Sequence, residues 1–168
     1  MNVLPRRILV PVEFERASRR AVRYARALAS VSRGEICLLH VMPGPAATPA
    51  TENERWWRSL AERTLSGLAE RMRLAPGTET CVLSGPVAPT IGRYAEDHDF
   101  DLIVVSGRRE PDWHGSLLGS TATAILRHSR VPVLVVPTCA KRETRPDDQT
   151  AEPVEAAVAL RAVERRRT

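Results

Sequence analysis

Five short aliphatic and β-branched runs recur along this chain, and each gap between them carries apolar positions at helical spacing. The runs fall at residues 7–12, 35–42, 78–83, 101–106 and 131–136. The intervening stretches, 17–31, 52–74, 87–98 and 116–129, read as amphipathic helices. Strands separated by whole helices cannot pair as tight hairpins. They lie parallel, joined by right-handed crossovers, with helices on both faces. The second run, Glu-Ile-Cys-Leu-Leu-His-Val-Met, is almost continuously apolar, as a strand covered on both faces requires. The pattern therefore predicts an α/β fold. In such sheets ligands bind beyond the carboxyl ends of the strands, where strand order reverses. That points to the loops after Val12, Met42 and Ser106.

Local signals set the boundaries. Arg33-Gly34 ends the first helix, with Gly34 read as the stop residue, and Pro76-Gly77 ends the second. Ser18, in the opening turn, caps the first helix or packs across it. Asp101 is read as capping the turn before its strand. The core domain spans residues 1–137. Residues 138–168 change to a polar, charged composition and read as a linker with a possible helix over 154–167.

Composition removes several classes of function. The net charge is +5, with 25 basic against 20 acidic residues. Arg16, Arg19, Arg20, Arg23 and Arg26 share one helix face without interleaved aromatics, so a solvated face is favoured over a nucleic-acid patch. The three cysteines, Cys37, Cys81 and Cys139, are far apart and form no metal-binding or redox pair. No apolar stretch approaches the roughly 20 residues that span a bilayer, and no secretory leader is recognised, so neither nucleic acid nor membrane is expected and the expected location is cytoplasmic.

The richest stretch runs from Asp101 through a Gly- and Arg-containing loop to Gly119-Ser120-Thr121. A strand feeding a glycine turn and a helix start offers backbone N–H groups and a helix dipole to an anion. Ser120 and Thr121 add hydroxyls, and Arg108 and Arg109 add charge. The same features also describe a plain strand-to-helix connection with a glycine turn and a serine cap. Among the histidines, His40, His98 and His128 read as structural or solvated, and only His114 lies in the candidate loop. No Ser/His/Asp or Cys/His arrangement stands out, so no catalytic residue is assigned.

In this stretch and beyond, the chain closely resembles the universal stress protein family. The likeness covers residues 7–137: Ile8-Leu-Val-Pro-Val, then Ser84-Gly85-Pro86 with Ile91 and Ala95, then the Asp101–Gly107 segment, and Gly119-Ser120 with Leu126-Arg127-His128 and Pro132-Val133. The resemblance implies a five-stranded parallel sheet of order 3-2-1-4-5 within the adenine-nucleotide alpha-hydrolase-like group, and a homodimer in the stress response. It places the dimer contact at the last strand, Val131 to Val136, where an uncovered apolar edge would invite aggregation.

Nucleotide binders of the family resemble one another in a Gly-x2-Gly-x9-Gly-Ser/Thr loop. Carried over, Gly107 is its first glycine and Gly119-Ser120 its last pair. The second glycine falls on Glu110, and eight residues rather than nine then precede Gly119. The backbone contacts to adenine fall around Val12 and Val41, beside Pro11, and the family's acidic residue after the first strand falls on Glu13. The expected cofactor is ATP or AMP, weakly held or absent, with magnesium only alongside ATP. The readings that compete are a regulatory nucleotide binder, a dimeric adaptor that has lost the nucleotide, and, less favoured, an ATP-hydrolysing or adenylating enzyme.

Overall fold

A computed structural model describes residues 4–44, 51–107 and 118–137. Five strands alternate with four helices: β1 (Arg7–Pro11), α1 (Arg16–Ser32), β2 (Glu35–Met42), α2 (Glu52–Arg71), β3 (Glu79–Ser84), α3 (Val87–Asp97), β4 (Leu102–Gly107), α4 (Ser120–His128) and β5 (Val133–Pro137). All four strand pairings are parallel, and the order is β3-β2-β1-β4-β5. The expected strand order and fold class are therefore present. The last strand begins two residues later than expected, because Val131 and Pro132 belong to the approach and Pro132 O accepts from Ile103 N–H. The expected helix over 154–167 lies outside the described residues.

The sheet divides the core into two layers. Ile8, Val10, Leu38 and Val104 face α1 and α2, while Leu9, Leu39, Ile103 and Val105 face α3 and α4. Neighbouring residues along one strand thus enter opposite cores, which is why the strand runs read as continuously apolar. Each fully buried aliphatic side chain contributes about 1.5–3 kcal/mol.

Two local details differ from the expectation, and for Ser18 the structure selects packing over capping. At the end of α1 the left-handed residue is Arg33, with φ 53°, and not Gly34. Gly34 is needed for close approach: a Cβ there would stand 2.7 Å from Arg6 O. Ser18 is buried beneath the first loop, where its hydroxyl accepts from Glu13 N–H at 3.1 Å. Asp101 clamps another strand rather than its own turn, since its Oδ2 accepts from Arg6 N–H and Arg7 N–H, both at 2.8 Å. That carboxylate fixes where β1 starts relative to β4.

The opposite layer relies on Gly92 of α3. A Cβ at that position would lie 2.7 Å from His128 O at the end of α4. Gly92→Ala is expected to lower stability by about 1–3 kcal/mol by forcing the two helices apart. Urea unfolding checks it; an unchanged midpoint contradicts the close packing.

Candidate functional site

Pro11 opens the carboxyl edge of the sheet. Along β1, residues 8, 10 and 12 direct their peptide groups toward β2, as the Val12 N–H bond to Leu39 O at 2.8 Å shows. Residues 7, 9 and 11 therefore face β4. Pro11 has no N–H, so the rung after Leu9↔Ile103 cannot form, and β1–β4 pairing ends there although β4 runs on to Gly107. The strands part at the point where strand order reverses, which is where such folds hold ligands.

On the other side of β1, pairing with β2 ends at Pro11↔Leu39, three residues before β2 ends. Leu39 turns its carbonyl toward β1, so by alternation Val41 turns both its N–H and its C=O the same way, past the last paired position. The carbonyl of Val12 is engaged by a side chain. His40 Nδ1 lies 2.8 Å from it in a buried contact, and because a carbonyl only accepts, Nδ1 carries the proton.

The chain leaves the sheet through a strained turn. Phe14 has φ 54°, a left-handed conformation that a bulky residue adopts at about 1–3 kcal/mol. Its ring is buried, with its centroid 4.5 Å from that of His40. The imidazole thus ties the end of β1 and backs the turn. Pro11, Val12, Glu13, Glu15, His40 and Val41 line one cavity of about 110 Å³, with Val87 and Ile91 of α3 also in its wall.

Of the sequence-derived site residues, Pro11, Val12, Glu13 and Val41 therefore meet in one place. Gly107, Gly119, Ser120 and Thr121 stand at the end of the neighbouring strand β4 and the start of α4, and do not line that cavity. Gly107 has a packing reason to be glycine, because a Cβ would meet Val135 Cγ1 at 2.5 Å. Gly119 caps α4 with φ 80° and ψ 154°, which disfavours any other residue. Arg108 and Arg109 lie outside the described residues, as do Glu110 and His114. Sequence reasoning passed over His40 at this site. The available signal was a lone polar residue inside an otherwise apolar strand. Nothing in the sequence marked the backbone strain at Phe14.

A larger cavity, of about 560 Å³, opens at the opposite, amino end of the sheet. Its cations are committed elsewhere: the Arg7 guanidinium lies 5.1 Å from the centre of the Phe100 ring, and Arg26 donates to Met72 O at 2.7 Å. Its thiol, Cys37, is pushed up to about 12 by burial, with Glu79 adding to the shift, so it is no nucleophile at neutral pH. His98 stacks on Tyr94 at 4.0 Å. Among the described residues no group of three metal-binding side chains converges, and no helix is long and apolar enough to cross a membrane. The geometry thus favours the smaller cavity at the strand ends over the larger one.

A parallel sheet whose strand order reverses at a parted switch point, with a glycine-initiated helix beside it, defines a doubly wound α/β domain. The profile of the Universal stress protein family matches residues 5–137, and the chain belongs to that family. Universal stress protein G of Salmonella typhimurium is 36% identical over 139 residues, covering 77% of this chain and 96% of the relative. UspA of Lactobacillus plantarum matches in structure with a TM-score of 0.59 at 28% identity, covering 78% of this chain and 97% of that one. A universal stress protein in complex with cAMP matches with a TM-score of 0.62, over 79% and 97% of the two chains, at 20% identity.

The buried thiol yields a pH dependence. Cys37 and Tyr94 both have folded values raised by burial, so the unfolded chain releases protons first as pH rises. Stability is full below pH 9.0, the ordinary thiol value, and falls as pH climbs toward 12. Cys37→Ala is expected to flatten part of that fall in thermal melts from pH 8 to 11, and an unaltered slope contradicts the assignment.

Proposed function

We propose that this chain is a regulatory adenine-nucleotide binder, working as a cytoplasmic homodimer in the stress response and catalysing no reaction. The carrying observation is the Val41 peptide. Val41 lines the cavity, and by strand alternation its N–H and C=O both point toward β1 past the last paired position, a donor next to an acceptor. That pair complements an adenine edge, which sets a ring-nitrogen acceptor beside an amine donor. Pro11 and Val12 form the wall beside the base, and Glu13 takes the ribose hydroxyls. Gly107, Gly119, Ser120 and Thr121 receive the phosphate at the start of α4, with Arg108 and Arg109 supplying charge. The fold neighbour crystallised with cAMP supports a nucleotide here.

Glu13 and Glu15 shape the preference. Both line the cavity, and two carboxylates repel a triphosphate more than a monophosphate, a repulsion that magnesium offsets only in part. The ligand is therefore a monophosphate, AMP or cAMP, with ATP weaker even with magnesium. A second reading, a dimeric adaptor that binds no nucleotide, draws support from the cavity itself. Its 110 Å³ is well below the roughly 300–1,000 Å³ of a complete small-molecule site.

The dimer reading rests on the two sheet edges. On the β3 edge, the guanidinium of Arg58 donates to Val82 O and to Ser84 Oγ, occupying part of that strand. β5, the other edge, exposes Leu134, and Leu126 of the preceding helix is also exposed. A second copy laid antiparallel on β5 covers both. Val136 is a poor test position, since at 2% exposure it belongs to the α1 layer.

Two measurements check the reading. Calorimetric titration is expected to show AMP binding at least about threefold tighter than ATP with magnesium. Tighter ATP would overturn the monophosphate preference, and no heat with either ligand would leave the adaptor reading. Leu134→Asp is expected to turn a dimer into a folded monomer in sedimentation velocity; a monomeric parent protein contradicts the dimer.

A further inference from the structure

We infer that His40 is a positioning residue for base recognition, acting through Val12 rather than on the ligand. The inference rests on the nucleotide reading above and adds the device that makes it possible. In a parallel ladder the acceptor waiting for Val41 N–H is Val12 O, because Val12 N–H already bonds Leu39 O at 2.8 Å. That carbonyl instead receives His40 Nδ1–H at 2.8 Å. The imidazole substitutes for the next rung, and β1–β2 pairing ends at Pro11↔Leu39 while β2 continues to Met42. The Val41 donor and acceptor are thereby kept for a base.

The burial and packing of His40 suit it to this. It is 3% exposed, and its ring packs against Phe14, whose left-handed backbone turns the chain away just past Val12. An aliphatic residue at this position would fill the core equally well. It would leave Val12 O without its side-chain donor, and that carbonyl's remaining partner is Val41 N–H. A side chain that can donate, by contrast, holds the rung open.

The test uses the full chain and three variants, with AMP and with purine riboside monophosphate, which lacks the exocyclic amine. The parent protein is expected to prefer AMP by about tenfold, the scale of one buried hydrogen bond. His40→Leu and His40→Phe, two substitutes without a suitable donor, are expected to lose about tenfold in AMP affinity and most of that preference. His40→Gln, which retains a donor, should stay within about threefold of the parent. A merely structural role would lower melting temperature without changing the ratio between the two ligands. Unchanged AMP affinity and base preference in whichever non-donor variant folds overturns the inference while the nucleotide reading stands. No AMP binding by the parent defeats the nucleotide reading, and this inference with it. If both non-donor variants fail to fold, loss of base preference in His40→Gln relative to the parent overturns the inference and retention supports it.

Discussion

Strand β1 stops early, and the rest of the site depends on that. Its last residue, Pro11, lacks the N–H that would continue pairing to β4, and the carbonyl of the next residue is taken by the His40 side chain instead of by the β2 backbone. β1 is therefore only five residues long, between neighbours of eight and six residues that run further. A central strand shorter than both neighbours leaves a notch in the carboxyl edge. The notch lies where strand order reverses, so helices α1 and α4 leave it in opposite layers. One imino acid and one imidazole thus set the shape of the notch.

The surrounding structure holds the notch in register. The Asp101 carboxylate ties β1 to β4 at the amino end, where two backbone donors converge on one oxygen. At the other end the buried Ser18 hydroxyl takes Glu13 N–H, while Phe14 carries the strain of the turn. The strain persists because the ring is locked between His40 and the α1 layer. A site made largely of backbone groups needs such bracing, since it has no long side chains with which to adjust.

The fold was legible because the alternation of short apolar runs with helical stretches leaves few topologies, and the family likeness supplied the strand order. Element bounds were legible to within a few residues; the reading extended α2 to residue 74, where the chain has already turned at Met72. The site was legible in part. Pro11, Val12, Glu13 and Val41 stand out in the sequence and share one cavity. Gly34 and Asp101 were named with the wrong reasons. A glycine for close approach and a glycine for positive φ look alike in sequence, and so do a carboxylate that caps its own turn and one that clamps another strand. His40 was discounted because nothing in an isolated strand tells which carbonyl its side chain will meet. The strain at Phe14 is a property of the turn as a whole, invisible residue by residue.

The proposal turns on the Val41 N–H and C=O being unpaired on the β1 side and open to a base. Amide hydrogen exchange at Val41, resolved by nuclear magnetic resonance, tests this most directly, with the paired amide of Leu39 as internal reference. The account predicts that Val41 exchanges faster than Leu39 in the free protein and is slowed when AMP is added, while Leu39 is unchanged. A Val41 amide as protected as that of Leu39 in the free protein, and indifferent to AMP, would contradict it.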